Sequence, residues 1–153
     1  MNEIVFLRHG HALSAREAGV TADAERPLSP LGEAEARAAA QRLRSTGFAP
    51  ALIISSPFLR AGRTAELASL AFPSAERRTA AALSDGPAQA VLDLIEGLPE
   101  GSVLLVGHQP LLGAVAGFLL GTGPLDFSPA GFARIRRGSS PSLVEFYAPA
   151  EAR

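Results

Sequence analysis

The chain has 153 residues, a formal net charge of −1 and 47% hydrophobic content, the profile of a soluble domain large enough to build its own core. That charge balance gives no support to a general nucleic-acid or membrane-surface role. The absence of cysteine excludes disulfides, thiolate catalysis and zinc–thiolate sites, and every basic residue is arginine, so only the positions of the arginines carry information.

No basic region followed by an apolar stretch opens the chain, so no secretory leader is expected. The longest apolar stretch, Leu111 to Leu120, is short of the ~20 residues that a bilayer requires. The expectation is a cytoplasmic, monomeric protein.

The first apolar run, Glu3 to Leu7, is predicted as a strand covered on both faces. It ends in Arg8-His9-Gly10-His11, at the sheet edge where open α/β folds bind ligands. Gly10 would let the backbone approach a ligand closely. Residues 12 to 29 read as a loop, broken by Gly19, Pro27 and Ser29 and carrying Asp23, Glu25 and Arg26. Ser29 is a helix N-cap with Pro30 in the first turn. Ala36, Ala39, Ala40 and Leu43 form that helix's apolar stripe, Glu33 and Arg37 have pair spacing on its wet face, and Gly47 ends it.

Ala51 to Ile54 is the second predicted strand. Ser55-Ser56-Pro57 opens a helix from about Phe58 to Leu70, with Arg60 in its first turn. A cation there opposes the helix dipole, an arrangement that makes sense if an anion lies between them. Glu76 to Leu83 is predicted as an edge strand and Ser84-Asp85-Gly86-Pro87 as a turn. A third helix buries Ala88, Val91, Leu92 and Ile95 and stops at Gly97 and Pro99. Val103 to Val106 is a buried strand. Gly107-His108-Gln109-Pro110 then repeats the strand–turn–helix design. The helix Leu111 to Leu120 is apolar all round and is expected to be central and covered. A Gly- and Pro-rich loop follows, and then two alternating strands, Phe132 to Arg136 and Leu143 to Tyr147. Strands alternating with helices imply a three-layer α/β/α sandwich with a mostly parallel sheet, as one domain over residues 1–153.

Three strand ends thus present Arg8-His9, Arg60 and His108. Two arginines and two histidines around one point suit a tetrahedral dianion. Arginine binds phosphate oxygens bidentately and stays charged. A neutral histidine can attack phosphorus and hold the phosphoryl group covalently, and a second, if protonated, stabilises charge on the transferring oxygens. His9, His11 and His108 could instead be three ligands of a zinc ion, although two adjacent arginines would repel a dication.

Leu7-Arg8-His9-Gly10, Ser55-Ser56-Pro57-Phe58-Leu59-Arg60-Ala61 and Val106-Gly107-His108 together resemble the histidine phosphatase superfamily, which includes the phosphoglycerate mutases. Arg26-Pro27-Leu28-Ser29-Pro30-Leu31-Gly32, Gly107-His108-Gln109-Pro110-Leu111 and Phe127-Ser128-Pro129-Ala130 are similar to the SixA-type phosphohistidine phosphatases. The resemblance implies the phosphoglycerate mutase-like fold and no cofactor. It implies His9 as phosphoryl acceptor, with Arg8, Arg60 and His108 holding the phosphoryl oxygens. Arg26, Asp23, Asp85 and His11 are then expected to border the substrate. Position 11 departs from relatives, where it is often acidic or another polar residue.

Larger relatives carry a proton donor on an insertion over the site, and residues 71 to 102 are too few for one. Asp85 and Asp23 remain as candidates. An imidazole leaving group, whose conjugate acid has a pKa near ~6.5, needs less help from an acid than an alkoxide does. An uncovered pocket also admits a side chain presented by another protein. The expected substrate is therefore a phosphohistidine-bearing protein. The alternatives are small phosphomonoesters, or phosphate binding without turnover.

Overall fold

Three parallel strand ends finish level with one another, and this sets the position of the site. The computed structural model describes residues 2–149; Met1 and residues 150–153 of the expected domain lie outside them. Strands β1 (Glu3–Arg8), β2 (Leu52–Ser55), β3 (Glu76–Thr79) and β4 (Val103–Gly107) run parallel. Strand β5 (Phe132–Arg136) is antiparallel to β1, and β6 (Ser142–Tyr147) to β5. The order is β3-β2-β4-β1-β5-β6. Arg8 lies opposite Gly107 and Ser55 opposite Val106, so the residues after β1, β2 and β4 emerge at the same edge.

The helices are α1 (Ala15–Ala18), α2 (Pro30–Ser45), α3 (Leu59–Ser69), α4 (Ala82–Asp85), α5 (Ala88–Glu96) and α6 (Leu111–Leu120). Side chains alternate across a strand, and both sets are apolar here. Ile4, Phe6, Leu52, Ile54 and Leu105 pack on Leu83, Val91, Ile95, Leu112 and Val115 of α4, α5 and α6. Val5, Leu7, Ile53, Leu104 and Val106 pack on Ala39, Ala40, Leu43, Ala61, Ala65 and Ala68 of α2 and α3. The alanine stripes let the second pair of helices sit close to the sheet. Ser29 caps α2 as expected, its side chain accepting from the Gly32 N–H at 3.0 Å.

Four local expectations are corrected. β3 stops at Thr79, because its partner β2 ends at Ser55 and no ladder remains to continue it. Ala82–Asp85 then closes a helical turn that drops Leu83 into the core. The stretch from 12 to 29 holds α1, closed by a reciprocal Ser14–Glu17 capping box, and a 3₁₀ turn at Asp23–Glu25. Glu33 pairs with Arg63 of α3, at 2.7 and 3.1 Å, not with Arg37, which ties α2 to α3. Helix α6 is not central: Phe118 is 69% exposed. Its small residues serve loop packing, since a Cβ at Gly113 or Gly117 would lie 1.9 Å from Leu125 O or 2.3 Å from Gly123 O.

Candidate active site

The loop after β1 is clamped against the start of α2. A Cβ on Gly10 would meet Gly32 O at 2.6 Å, and one on Gly32 would meet His11 O at 2.0 Å. Gly10 is therefore required for backbone-to-backbone packing, a reason that the sequence did not show. The Gly10 N–H donates to Thr64 Oγ1 at 3.1 Å, and Thr64 in turn donates to Arg60 O at 2.8 Å. The His9 N–H donates to Gly107 O at 3.0 Å. These bonds fix His9 against α3 on one side and β4 on the other.

His9 and His108 face each other, with ring centroids 5.0 Å apart. Both are buried, at 9% and 7% exposure. His9 Nδ1 lies 2.7 Å from Gly10 O. A carbonyl only accepts, so Nδ1 carries the proton and Nε2 keeps its lone pair. Burial pushes the His9 pKa down to about 3, with His108, Arg60 and Arg8 adding and the Gly10 carbonyl opposing. Burial likewise lowers His108 to about 4, helped by Arg60 and Arg8 and opposed by Asp23. Both imidazoles are neutral at neutral pH before any anion enters. Protonation of the second histidine, on which the charge-stabilising role expected from the sequence depends, therefore requires the charge of a bound dianion.

Arg60 is 7% exposed. Its Nη1 donates to Asp23 O at 2.7 Å and its Nη2 to Asp23 Oδ2 at 3.0 Å. Its guanidinium carbon stands 5.1 Å over the Phe58 ring. Arg8 Nη1 donates to Phe127 O at 2.8 Å. The Nε atoms of both arginines are buried without a hydrogen-bond partner, a donor surplus that an oxyanion would satisfy. The Phe127 to Ala130 stretch also caps β1: the Ala130 N–H reaches Arg8 O and His9 O at 3.2 and 3.1 Å. Ala130 takes a φ of 60° to do so, a non-glycine residue in the left-handed region beside the site.

The remaining expected residues are spread around this centre. Asp23 accepts from Arg26 Nη1 at 3.0 Å as well as from Arg60, and these bonds hold its carboxyl below the usual carboxylate range. Arg26 also donates from Nε to Leu13 O at 2.8 Å. His11 is exposed, and its Nδ1 lies 2.7 Å from Ser29 Oγ. Asp85 is exposed at the end of α4, on the rim of a cleft of about 510 Å³ shared with Ser84, Gln109, Pro110 and Leu111. Among the described residues no three His, Cys, Asp or Glu side chains form a group that could hold a metal ion, so the three-histidine zinc arrangement is not assembled.

Sequence reasoning missed the hydroxyls. Ser56 is fully buried and its Oγ lies 2.9 Å from His108 Nε2. Thr64, also fully buried, links Gly10 to Arg60. Phe58 covers His108 edge-on, with centroids 5.0 Å apart.

The site and sheet together define a class, and comparison with known proteins agrees. The sequence pattern of the histidine phosphatase superfamily (branch 1) matches residues 4–86. The chain belongs to this superfamily and is a phosphatase. An uncharacterised protein of Picosynechococcus is 38% identical over 115 residues, spanning 72% of this chain and 68% of that one. Among solved structures, SixA from Agrobacterium tumefaciens superposes with a TM-score of 0.86 at 28% identity, covering 97% of this chain and 99% of that chain. The protein histidine phosphatase SixA complexed with tungstate also gives 0.86, at 24% identity over 99% of both chains. A phosphoserine phosphatase of Entamoeba histolytica shares the fold at 18% identity, with a TM-score of 0.74 over 97% of this chain and 98% of that chain. Within the superfamily the chain is SixA-like. Among the described residues no helix is long and apolar enough to cross a membrane.

Proposed function

We propose that this phosphatase removes the phosphoryl group from a phosphohistidine carried by another protein. His9 Nε2 attacks phosphorus, the bond from phosphorus to the departing imidazole nitrogen breaks, and that nitrogen keeps the electron pair and takes a proton. Water then attacks phosphorus, the bond to His9 Nε2 breaks, and phosphate leaves with His9 restored. Arg8, Arg60 and His108 hold the phosphoryl oxygens through both steps. No step calls for a metal or an organic cofactor.

The observation that carries this proposal is the bond from His9 Nδ1 to Gly10 O. It leaves Nε2 bare, in a ring that burial keeps neutral, beside two arginines with unspent donors. The tungstate in a SixA structure supports the same reading, because tungstate is a tetrahedral oxyanion. The SixA likeness supports a phosphohistidine protein as substrate. The proposal treats the chain as one domain.

The test is a substrate comparison at equal enzyme concentration: a phosphohistidine protein, para-nitrophenyl phosphate and a set of sugar phosphates. The highest kcat/KM is expected for the phosphohistidine protein. Preference for a sugar phosphate would replace it with a small phosphomonoester. A single burst without turnover on every substrate would make the protein a phosphate-binding module.

A further inference from the structure

His108 does not stand alone. Its Nε2 lies 2.9 Å from Ser56 Oγ, and Ser56 Oγ lies 3.0 Å from Ser84 Oγ. The Phe58 N–H also donates to Ser56 Oγ, at 3.1 Å. Ser56 is fully buried, while Ser84 is half-buried on the rim of the cleft that holds Asp85. His108 Nδ1 is buried and has no hydrogen-bond partner.

A hydroxyl has one proton to donate and two lone pairs. The Phe58 N–H occupies one lone pair of Ser56. Two settings of the chain are then consistent with the contacts at His108 Nε2, Ser56 and Ser84, and both leave Nδ1 without a protein partner. In the first, Ser84 donates to Ser56 and Ser56 donates to His108 Nε2, so the neutral ring carries its proton on Nδ1. In the second, Nε2–H donates to Ser56 and Ser56 donates to Ser84. The second leaves a neutral His108 with a bare Nδ1, unable to donate to a phosphoryl oxygen. The first gives Nδ1 a donor, and a buried donor without a partner is one that a substrate oxygen can complete.

We propose that Ser56, backed by Ser84, is a positioning residue that holds neutral His108 with its proton on Nδ1, available to the phosphoryl group. The inference rests on the reading of His108 as a ligand of phosphoryl oxygens. The chain serves both protonation states. When a phosphoryl dianion enters, its charge favours imidazolium, and the proton taken from solvent sits on Nε2. Both hydroxyls then rotate into the second setting, and His108 keeps its bond to Ser56 while Nδ1–H keeps its bond to the substrate. A lone acceptor such as a backbone carbonyl could serve only the charged ring or the opposite tautomer. The charged and titratable groups acting on His108 are Arg60, Asp23, Arg8 and the facing His9, and none of them takes the place of the hydroxyl at Nε2.

The test reads the free enzyme first and needs no substrate. Long-range proton–nitrogen correlation spectra of protein labelled on its three histidines report which nitrogen of each neutral ring carries the proton. His108 is expected as the Nδ1–H tautomer at pH 7. An Nε2–H tautomer in the unmodified protein would overturn the proposal, whatever the natural substrate is. In Ser56→Ala the tautomer is expected to shift toward Nε2–H, and kcat/KM on para-nitrophenyl phosphate to fall about 10-fold, the loss of one strong hydrogen bond. Ser84→Ala leaves the Ser56 bond in place, keeps the fold, and should give a smaller loss, about 2- to 3-fold, with the Nδ1–H tautomer retained. A Ser56→Ala protein with an unchanged His108 spectrum would sink the positioning role even if its activity dropped.

Discussion

Asp23 holds Arg60 from two directions, its carbonyl accepting from Nη1 at 2.7 Å and its Oδ2 from Nη2 at 3.0 Å. Arg60 leans over Phe58, and Phe58 covers His108, so one loop aspartate orients a whole side of the pocket. A carboxylate bonded to two guanidinium groups, with its pKa lowered by them, is well suited to steering a cation and poorly suited to giving up a proton. Asp23→Ala should therefore lower kcat/KM about 10-fold by misplacing Arg60, and equally for phosphohistidine and alkyl phosphate substrates. Loss confined to the alkyl ester would make Asp23 the proton donor instead.

What was legible in the sequence follows physical range. Strand and helix periodicity placed every major element, because both faces of the sheet are continuously apolar at Ile4 to Leu7 and at Val103 to Val106. That Arg8, His9, Arg60 and His108 meet at one candidate site was legible because three of them sit next to strand ends and Arg60 at a helix start. Ser14-Ala15-Arg16-Glu17 held a capping-box signal that the surrounding turn residues obscured. The Ser56–Ser84 contact and the Glu33–Arg63 pair join residues about 30 positions apart, and no local pattern encodes such a meeting. Gly113 and Gly117 looked like parts of a buried helix, yet their purpose is set by a loop that follows them.

The covalent intermediate should reside on His9. Rapid mixing with phosphorylated substrate, an alkaline quench and mass spectrometry are expected to place an acid-labile phosphate there, and His9→Ala to abolish turnover. Phosphate found on His108 alone, or on a serine, would reverse the roles.

The two buried histidines make stability depend on pH in a defined window. Unfolded, each binds a proton near pH ~6.5; folded, they do so only at about 3 and about 4. Between these values the unfolded chain holds more protons, so stability falls as pH drops from 6.5 toward 4 and is fully present above 6.5. Carboxylates that pair with arginine weaken in acid too, so the informative quantity is a difference. A His9→Asn/His108→Asn protein should lose less Tm between pH 7 and pH 4.5 than the unmodified protein. Equal losses would mean that the two rings are not held neutral.

Two glycine changes should act in opposite directions. A Cβ at Gly32 would lie 2.0 Å from His11 O, while one at Gly62 meets nothing within 4 Å. Gly32→Ala must push the β1 loop away from α2, which should cost roughly 3 kcal/mol and displace His9. Gly62→Ala, inside α3, should stabilise by about 0.5–1 kcal/mol through helix propensity. Urea denaturation of the two variants measures both, and a harmless Gly32→Ala would remove the clamp between loop and helix.

Asp85 is the other candidate that the sequence offered for a proton donor, and a substrate comparison tests it. It sits exposed at the end of α4, beside Ser84 and on the rim of the cleft with Gln109 and Pro110. Among the described residues no side-chain hydrogen bond or ion pair holds its carboxylate. An alkoxide leaving group needs a proton, because alcohols are very weak acids. An imidazole leaving group, with a conjugate acid near pKa ~6.5, needs far less help. Asp85→Asn is therefore expected to slow phosphohistidine hydrolysis only mildly and to slow an alkyl phosphate more. The useful number is the ratio of kcat/KM between the two substrates, since a binding defect lowers both alike and leaves the ratio unchanged. A fall in that ratio for the alkyl ester would assign Asp85 as the proton donor for difficult leaving groups. If Asp85→Asn removed phosphohistidine activity as completely as His9→Ala, proton donation would be essential even for imidazole. The ease of the leaving group would then explain nothing about this pocket, and small phosphomonoesters would become the better match for the site.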